Sequence, residues 1–190
     1  RNKKRAKRVK KDMREVIWSK LRKFLLRGYL TFRRKDEILN FTDYFWVPKG
    51  DGDIRMVFNG TSCGLNKVLW APNFWLPTAK SMLRTYGFNY RAVDLDLGEY
   101  FINLPIQASL EKYSGVDLSP FLDEIKKDKD VAHLLTPVGP EAEGFATWSR
   151  CWMGQRPSPE WAARYYYLAE EFVQGREDEA NNPFYWDEVV

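Results

Sequence analysis

Apolar positions early in the chain fall at helical spacing. Met13, Val16, Ile17, Leu21, Phe24 and Leu25 share one face of a helix beginning at Asp12, and Gly28 stands where a helix stop belongs. Lys20, Arg22, Lys23 and Arg27 take the opposite side, which predicts an amphipathic helix with a basic outer surface. The period then shortens to two. Residues 43–48 (DYFWVP) and 54–58 (IRMVF) predict a β-hairpin turned through Lys49-Gly50-Asp51-Gly52-Asp53. After an extended connection from Pro72 to Pro77, residues 78–84 predict a short helix with Thr78 near its N-cap. Residues 92–96 (AVDLD) predict a strand carrying Asp94 and Asp96. Carboxylates in a buried strand are costly unless something pairs with them. A divalent cation does so where the acids face a cleft. The plainer alternative is a strand-to-turn junction whose acids cap the turn.

Ser119-Pro120 predicts a helix start within 117–130, with Phe121, Leu122 and Ile125 turned inward. Pro137, Gly139, Pro140 and Gly144 make 134–144 a loop. Residues 145–152 alternate as a strand. Ser158 as N-cap and Pro159 at the first helical position open a helix over 160–174. Its stripes Trp161, Tyr165, Leu168, Phe172 and Ala162, Tyr166, Ala169, Val173 predict burial over a wide arc.

Composition adds a polarity along the chain. The 190 residues are 44% hydrophobic, enough for one domain or two small lobes with a core. The net charge is only +4, yet residues 1–35 hold sixteen Lys and Arg against Asp12 and Glu15, so the rest is net acidic. Residues 1–11, with Lys3, Lys4, Arg5, Lys7 and Arg8, form a basic arm that is disordered when free. Such an arm points to a polyanion, most simply nucleic acid through its phosphates, or else to a solvated or localisation tail. Cys63 and Cys151 lack a partner motif and read as free thiols of a reducing compartment, so an intracellular setting is expected. They and the lone His133 exclude the usual zinc spacings, and His133 reads as structural. No apolar run approaches the roughly 18 residues of a membrane span. No secretory signal and no membrane partner are expected.

Three ordered motifs between about 41 and 175 resemble the reverse transcriptase family. In RAVDLDLGEYFINLPI, Asp96, an aromatic at Phe101 and Pro105 resemble motif A. Lys49, Gly52, Ile54, Arg55 and then Leu65-Asn66 resemble the fingers hairpin, although Asn59 stands where the family usually has aspartate. Gly154, with Ser158-Pro159 four residues on, resembles motif B, with Met153 where the family often has Gln. The resemblance implies an α+β right-hand polymerase: fingers and palm, an antiparallel palm sheet backed by helices, and a basic N-terminal helix. It implies units at 1–40 (basic arm and helix), 41–89 (fingers hairpin and connection), 90–112 (palm motif A), 113–158 (an insertion ending in the motif B loop) and 159–190 (palm helix and end).

The implied activity is RNA-directed DNA synthesis on an RNA or DNA template with a primer, using deoxynucleoside triphosphates. Asp96 would be catalytic and, with the Leu97 carbonyl, would hold Mg²⁺ or Mn²⁺. Lys49, Arg55, Phe101, Gly154 and Gln155 would bind the nucleotide, Lys49 as a point charge and Arg55 as a fork on the phosphates. Phe101 would exclude a ribose 2′-hydroxyl, which argues against an RNA-dependent RNA polymerase, the nearest enzymatic alternative. No Asp-Asp pair occurs in the chain, although the family carries one after motif B. The chain is therefore expected to be the N-terminal part of a longer polymerase, inactive alone. The alternative is a degenerate, catalytically inactive nucleic-acid-binding protein from a retroelement.

Overall fold

The computed structural model describes residues 13–50, 53–74, 97–139 and 142–174, with residues 76, 78 and 80. The expected strand at 92–96 and nearly all of the expected helix at 78–84 lie outside them. Helix α1 spans Arg14–Leu26, with Ile17, Leu21, Phe24 and Leu25 buried. It ends before Gly28, whose φ of 64° suits a residue without a Cβ. Strand β1, Leu30–Phe32, follows. Strands β2, Asp43–Lys49, and β3, Asp53–Asn59, form the expected antiparallel hairpin, in register from Asp43↔Asn59 to Lys49↔Asp53. Ile54, Met56 and Phe58 alternate inward from β3.

Short helices α2 (Leu65–Val68), α3 (Tyr100–Asn103) and α4 (Ala108–Glu111) come next. Strand β4 is Gly115–Asp117. The single helix expected over 117–130 is broken. A 3₁₀ turn at Ser119–Phe121 leads into α5, Leu122–Lys127, and Asp128 starts α6, Lys129–Ala132. Asp128 is extended (ψ 108°) and accepts from the Asp130 amide, so it both interrupts and caps. Phe121 and Ile125 are buried as expected. The expected loop at 134–144 begins as a 3₁₀ helix, His133–Val138, because Leu135 has a core site to fill.

Strand β5, Phe145–Trp148, lies between β1 and β4 in an antiparallel sheet ordered β1-β5-β4. All four of its residues are buried, where alternation predicted one wet face. Trp148 sits at the junction, 5.4 Å from the Phe24 ring and 4.8 Å edge-on from the Phe58 ring. It ties α1, the hairpin and the sheet into one apolar core. Helix α7, Ser158–Gln174, closes the described residues. The Ser158 hydroxyl lies toward the Trp152 carbonyl and Gln155 Oε1, so it braces the preceding loop and does not cap the helix. The predicted wide burial of α7 is not met. Ala162 and Ala163 are buried, while Leu168 and Phe172 are 62% and 91% exposed.

Candidate functional site

The hairpin presents two faces. Opposed residues of an antiparallel pair share a face, and the register opposes Val47 to Arg55 and Lys49 to Asp53. Lys49 and Arg55 therefore lie on one face, with Phe45, Val47 and Asp53, away from buried Ile54, Met56 and Phe58. Both cations are exposed. Asp53 pairs with Lys20 of α1 at 2.9 Å, and that bond holds its carboxyl below the ordinary range.

The base of the hairpin meets the loop at 153–157. Gly154 has φ 109°, and a Cβ there would overlap the Phe58 carbonyl oxygen. A Cβ on Gly60 would come within 2.8 Å of the Gly154 carbonyl oxygen. Asn66 closes this junction. Its Nδ2 donates to the Gly154 carbonyl at 2.8 Å and to Thr61 Oγ1 at 3.1 Å, and its Oδ1 accepts from the Arg156 amide at 2.9 Å. The carboxamide has two donor hydrogens and one oxygen, and all are engaged. The Leu65-Asn66 pair was visible in the sequence as part of a pattern. Its bracing role was not, because the partners lie 88 and 90 residues away.

A second junction joins the Phe101 segment to residues 149–151, the stretch that leads from β5 into this loop. The Cys151 amide donates to the Leu104 carbonyl at 2.8 Å, the Ile106 amide donates to Ser149 at 3.2 Å, and Pro105 bridges Arg150. Leu104, Ile106, Cys151 and Ala162 form a small apolar cluster, and Tyr100 and Phe101 pack against it. The Tyr100 hydroxyl donates to the Ala162 carbonyl at 2.7 Å, which pins α3 to α7. Phe101, half-buried, carries no such tether in its side chain. Burial pushes the Cys151 thiol up to about 11, so it is an inert packing group.

A polar strut joins the start of the Phe101 segment to α1. Glu99 adopts a left-handed conformation (φ 56°, ψ 30°), uncommon for a residue with a Cβ. It pairs with Lys23 of α1 and with Arg27, the residue just past its end, at 2.5 Å. The Lys23 bond, with Arg27 nearby, holds its carboxyl below the usual range. The same helix reaches Glu124 through Arg14, and Asp128 and Asp130 through Arg22. The basic outer side of α1 is thus present, and its cations also serve as intramolecular ties.

The remaining expected residues divide plainly. Leu97 is 53% exposed. Gln155 is 2% exposed and accepts from Ser158 Oγ at 3.1 Å, so its side chain faces the interior of the loop and not an open surface. Asp94, Asp96, Gly52 and the arm residues Lys3, Lys4, Arg5, Lys7 and Arg8 lie outside the described residues. Among the described residues, no three His, Cys, Asp or Glu gather as a metal site, and no helix is long and apolar enough to cross a membrane.

No protein-family profile and no curated protein matches the chain. Solved structures do. The foamy viral protease–reverse transcriptase in complex with double-stranded DNA matches with a TM-score of 0.62 and 17% identity, over 90% of this chain and 25% of that one. The prototype foamy virus protease–reverse transcriptase matches at 0.63 and 19% identity as a CSH mutant, over 88% of this chain and 19% of that one. Its native form matches at 0.59 and 18%, over 94% and 19%. The chain spans a quarter or less of the length of these proteins. At these identities the likeness concerns architecture, and the chain has a reverse transcriptase-like fold.

Proposed function

We propose that this chain is the nucleotide-handling portion, fingers and palm, of an RNA-directed DNA polymerase. One observation carries the reading. Three segments that are far apart in sequence join through two backbone junctions on one stretch of chain: the hairpin base at Gly154, and the Phe101 segment at Cys151. These are the segments that resemble the fingers hairpin, motif A and motif B, and the chain that carries them has a reverse transcriptase-like fold.

Lys49 and Arg55, exposed on one hairpin face, would take the triphosphate oxygens of an incoming deoxynucleotide. Phe101 would limit room at the sugar. Gly154 would let the loop backbone approach the base pair, while buried Gln155 holds the loop's shape. Glu99 is already held by Lys23 and Arg27, so a cation would depend on Asp96 and the Leu97 carbonyl. Mg²⁺ or Mn²⁺ there would neutralise phosphate charge and acidify the primer hydroxyl. The partners would be a primed RNA or DNA template, reached in part through the basic arm, and the remainder of a longer polymerase chain.

The test is steady-state kinetics of that longer polymerase with Lys49→Gln and Arg55→Gln. Each should raise the apparent KM for deoxynucleotide about tenfold or more, and change template affinity less, since one charge-assisted contact is worth roughly 1.5–3 kcal/mol. Equal losses in both would mark the pair as general phosphate contacts and remove them from the nucleotide site.

A further inference from the structure

The Asn66 junction has a mechanical consequence. Gly60 and Gly154 let two backbones touch, and the Asn66 carboxamide fastens them with three side-chain hydrogen bonds. The Asn66 backbone adds two more, its amide donating to the Gly60 carbonyl at 2.9 Å and its carbonyl accepting from Arg156 at 3.4 Å. The base of the hairpin and the 154–156 loop therefore move as one body. The far end of the hairpin is held differently. Phe45 is 43% exposed, Lys49 and Arg55 face solvent, and the Lys20–Asp53 ion pair ties the tip to α1. The hairpin thus joins α1 near its tip and the 154–156 loop at its base, with Asn66 at the second joint.

We propose that Asn66 is a positioning residue that transmits movement of the hairpin tip to the Met153–Gly154 surface. Capture of a phosphate-bearing ligand by Lys49 and Arg55 then shifts the loop that carries exposed Met153. The coupling rests on the proposed nucleotide reading, whereas the fastening itself does not. Asparagine suits the task because the junction needs a donor toward one carbonyl and an acceptor toward one amide on a short side chain. Aspartate keeps the acceptor and sets a negative charge against the Gly154 carbonyl. Alanine supplies neither.

Amide hydrogen exchange on the longer polymerase, bound to a primed template with adenine as the templating base, tests both halves. Without nucleotide, Asn66→Ala should speed exchange of the Arg156 amide about tenfold, as expected for a lost side-chain hydrogen bond. Asn66→Asp should speed it less while loosening the rest of the loop. Unchanged exchange across 154–157 in both variants, with a native circular dichroism spectrum, would overturn the fastening. With thymidine triphosphate and Mg²⁺, the unsubstituted chain should gain protection in both 53–57 and 154–157. In Asn66→Asp the hairpin should still gain it and the loop should not. Protection of both segments in the variant, or of the hairpin alone in the unsubstituted chain, would overturn the coupling. Protection of neither segment in the unsubstituted chain would instead sink the nucleotide reading and the coupling with it, and leave Asn66 as a packing residue.

Discussion

Helices α1 and α7 carry the same kind of sequence signal and have different surroundings. In α1 the apolar face is fully used: Ile17 and Leu21 are 1% and 0% exposed, and the polar side is tied to the hairpin, the Glu99 turn and α5–α6 by ion pairs. In α7 the first turns dock through Ala162 and Ala163, and the later apolar residues Tyr165, Leu168 and Phe172 are exposed. Apolar periodicity thus identifies a helix and the face that seeks cover. It does not say whether that cover lies within the described residues. A solvated stripe of this kind stabilises nothing until something covers it.

The largest effect should separate the two helices directly. Leu21→Ala removes a wholly buried side chain and should cost about 2–5 kcal/mol, while Leu168→Ala should stay within about 0.5 kcal/mol. Urea unfolding followed by tryptophan fluorescence measures both. Comparable losses would mean that α7 is covered in solution and would erase the contrast.

The pH response should sharpen it. Asp53, Glu99, Glu124 and Asp128 are each held below the ordinary carboxylate range, chiefly by hydrogen bonds from Lys20, Lys23, Arg14 and Arg22 of α1. A depressed acid stabilises the fold fully above its unfolded pKa, near about 4, and the gain disappears as pH falls through the folded value. Glu170 of α7 has the opposite sign: burial raises its carboxyl, so the cost of charging it grows as pH rises from the ordinary carboxylate value up through its own raised one. The thermal midpoint should therefore drop below about pH 4. A Lys23→Gln/Arg27→Gln variant should show a shallower drop, because Glu99 no longer gains its partners. An identical profile in the variant would contradict the tie.

How much of this was legible depends on the reach of each interaction. The hairpin was readable because alternation and a glycine turn are local, and α1 because its period and Gly28 are local too. Strands β1 and β4 were not, since three residues hold too little pattern. Alternation misled at β5 because a central strand is wanted on both faces. The helix over 117–130 was misread because Asp128 breaks it, capping α6 and meeting Arg22 106 residues away. At the site, the cations Lys49 and Arg55 and the glycine Gly154 were visible as residue types. The inward turn of Gln155, the Glu99 strut and the Asn66 junction were not, because each is defined by partners that only the folded chain brings near.

A smaller effect concerns polyanion binding. Since the cations of α1 are engaged, the arm should carry the electrostatic share of nucleic-acid affinity. Removing residues 1–11 should flatten the dependence of binding on salt, by roughly 0.7–0.9 in log–log slope for each lost phosphate contact. A slope unaffected by the deletion would return that role to α1 or the hairpin.

On the proposed reading, templated nucleotidyl transfer runs through Asp96. The measurement is primer extension by the longer polymerase bearing Asp96→Ala, alongside its affinity for primed template. Extension should fall by at least about a thousandfold, the scale expected when charge stabilisation in a transition state is lost, with duplex affinity nearly unchanged. Extension at the unsubstituted rate would contradict that reading.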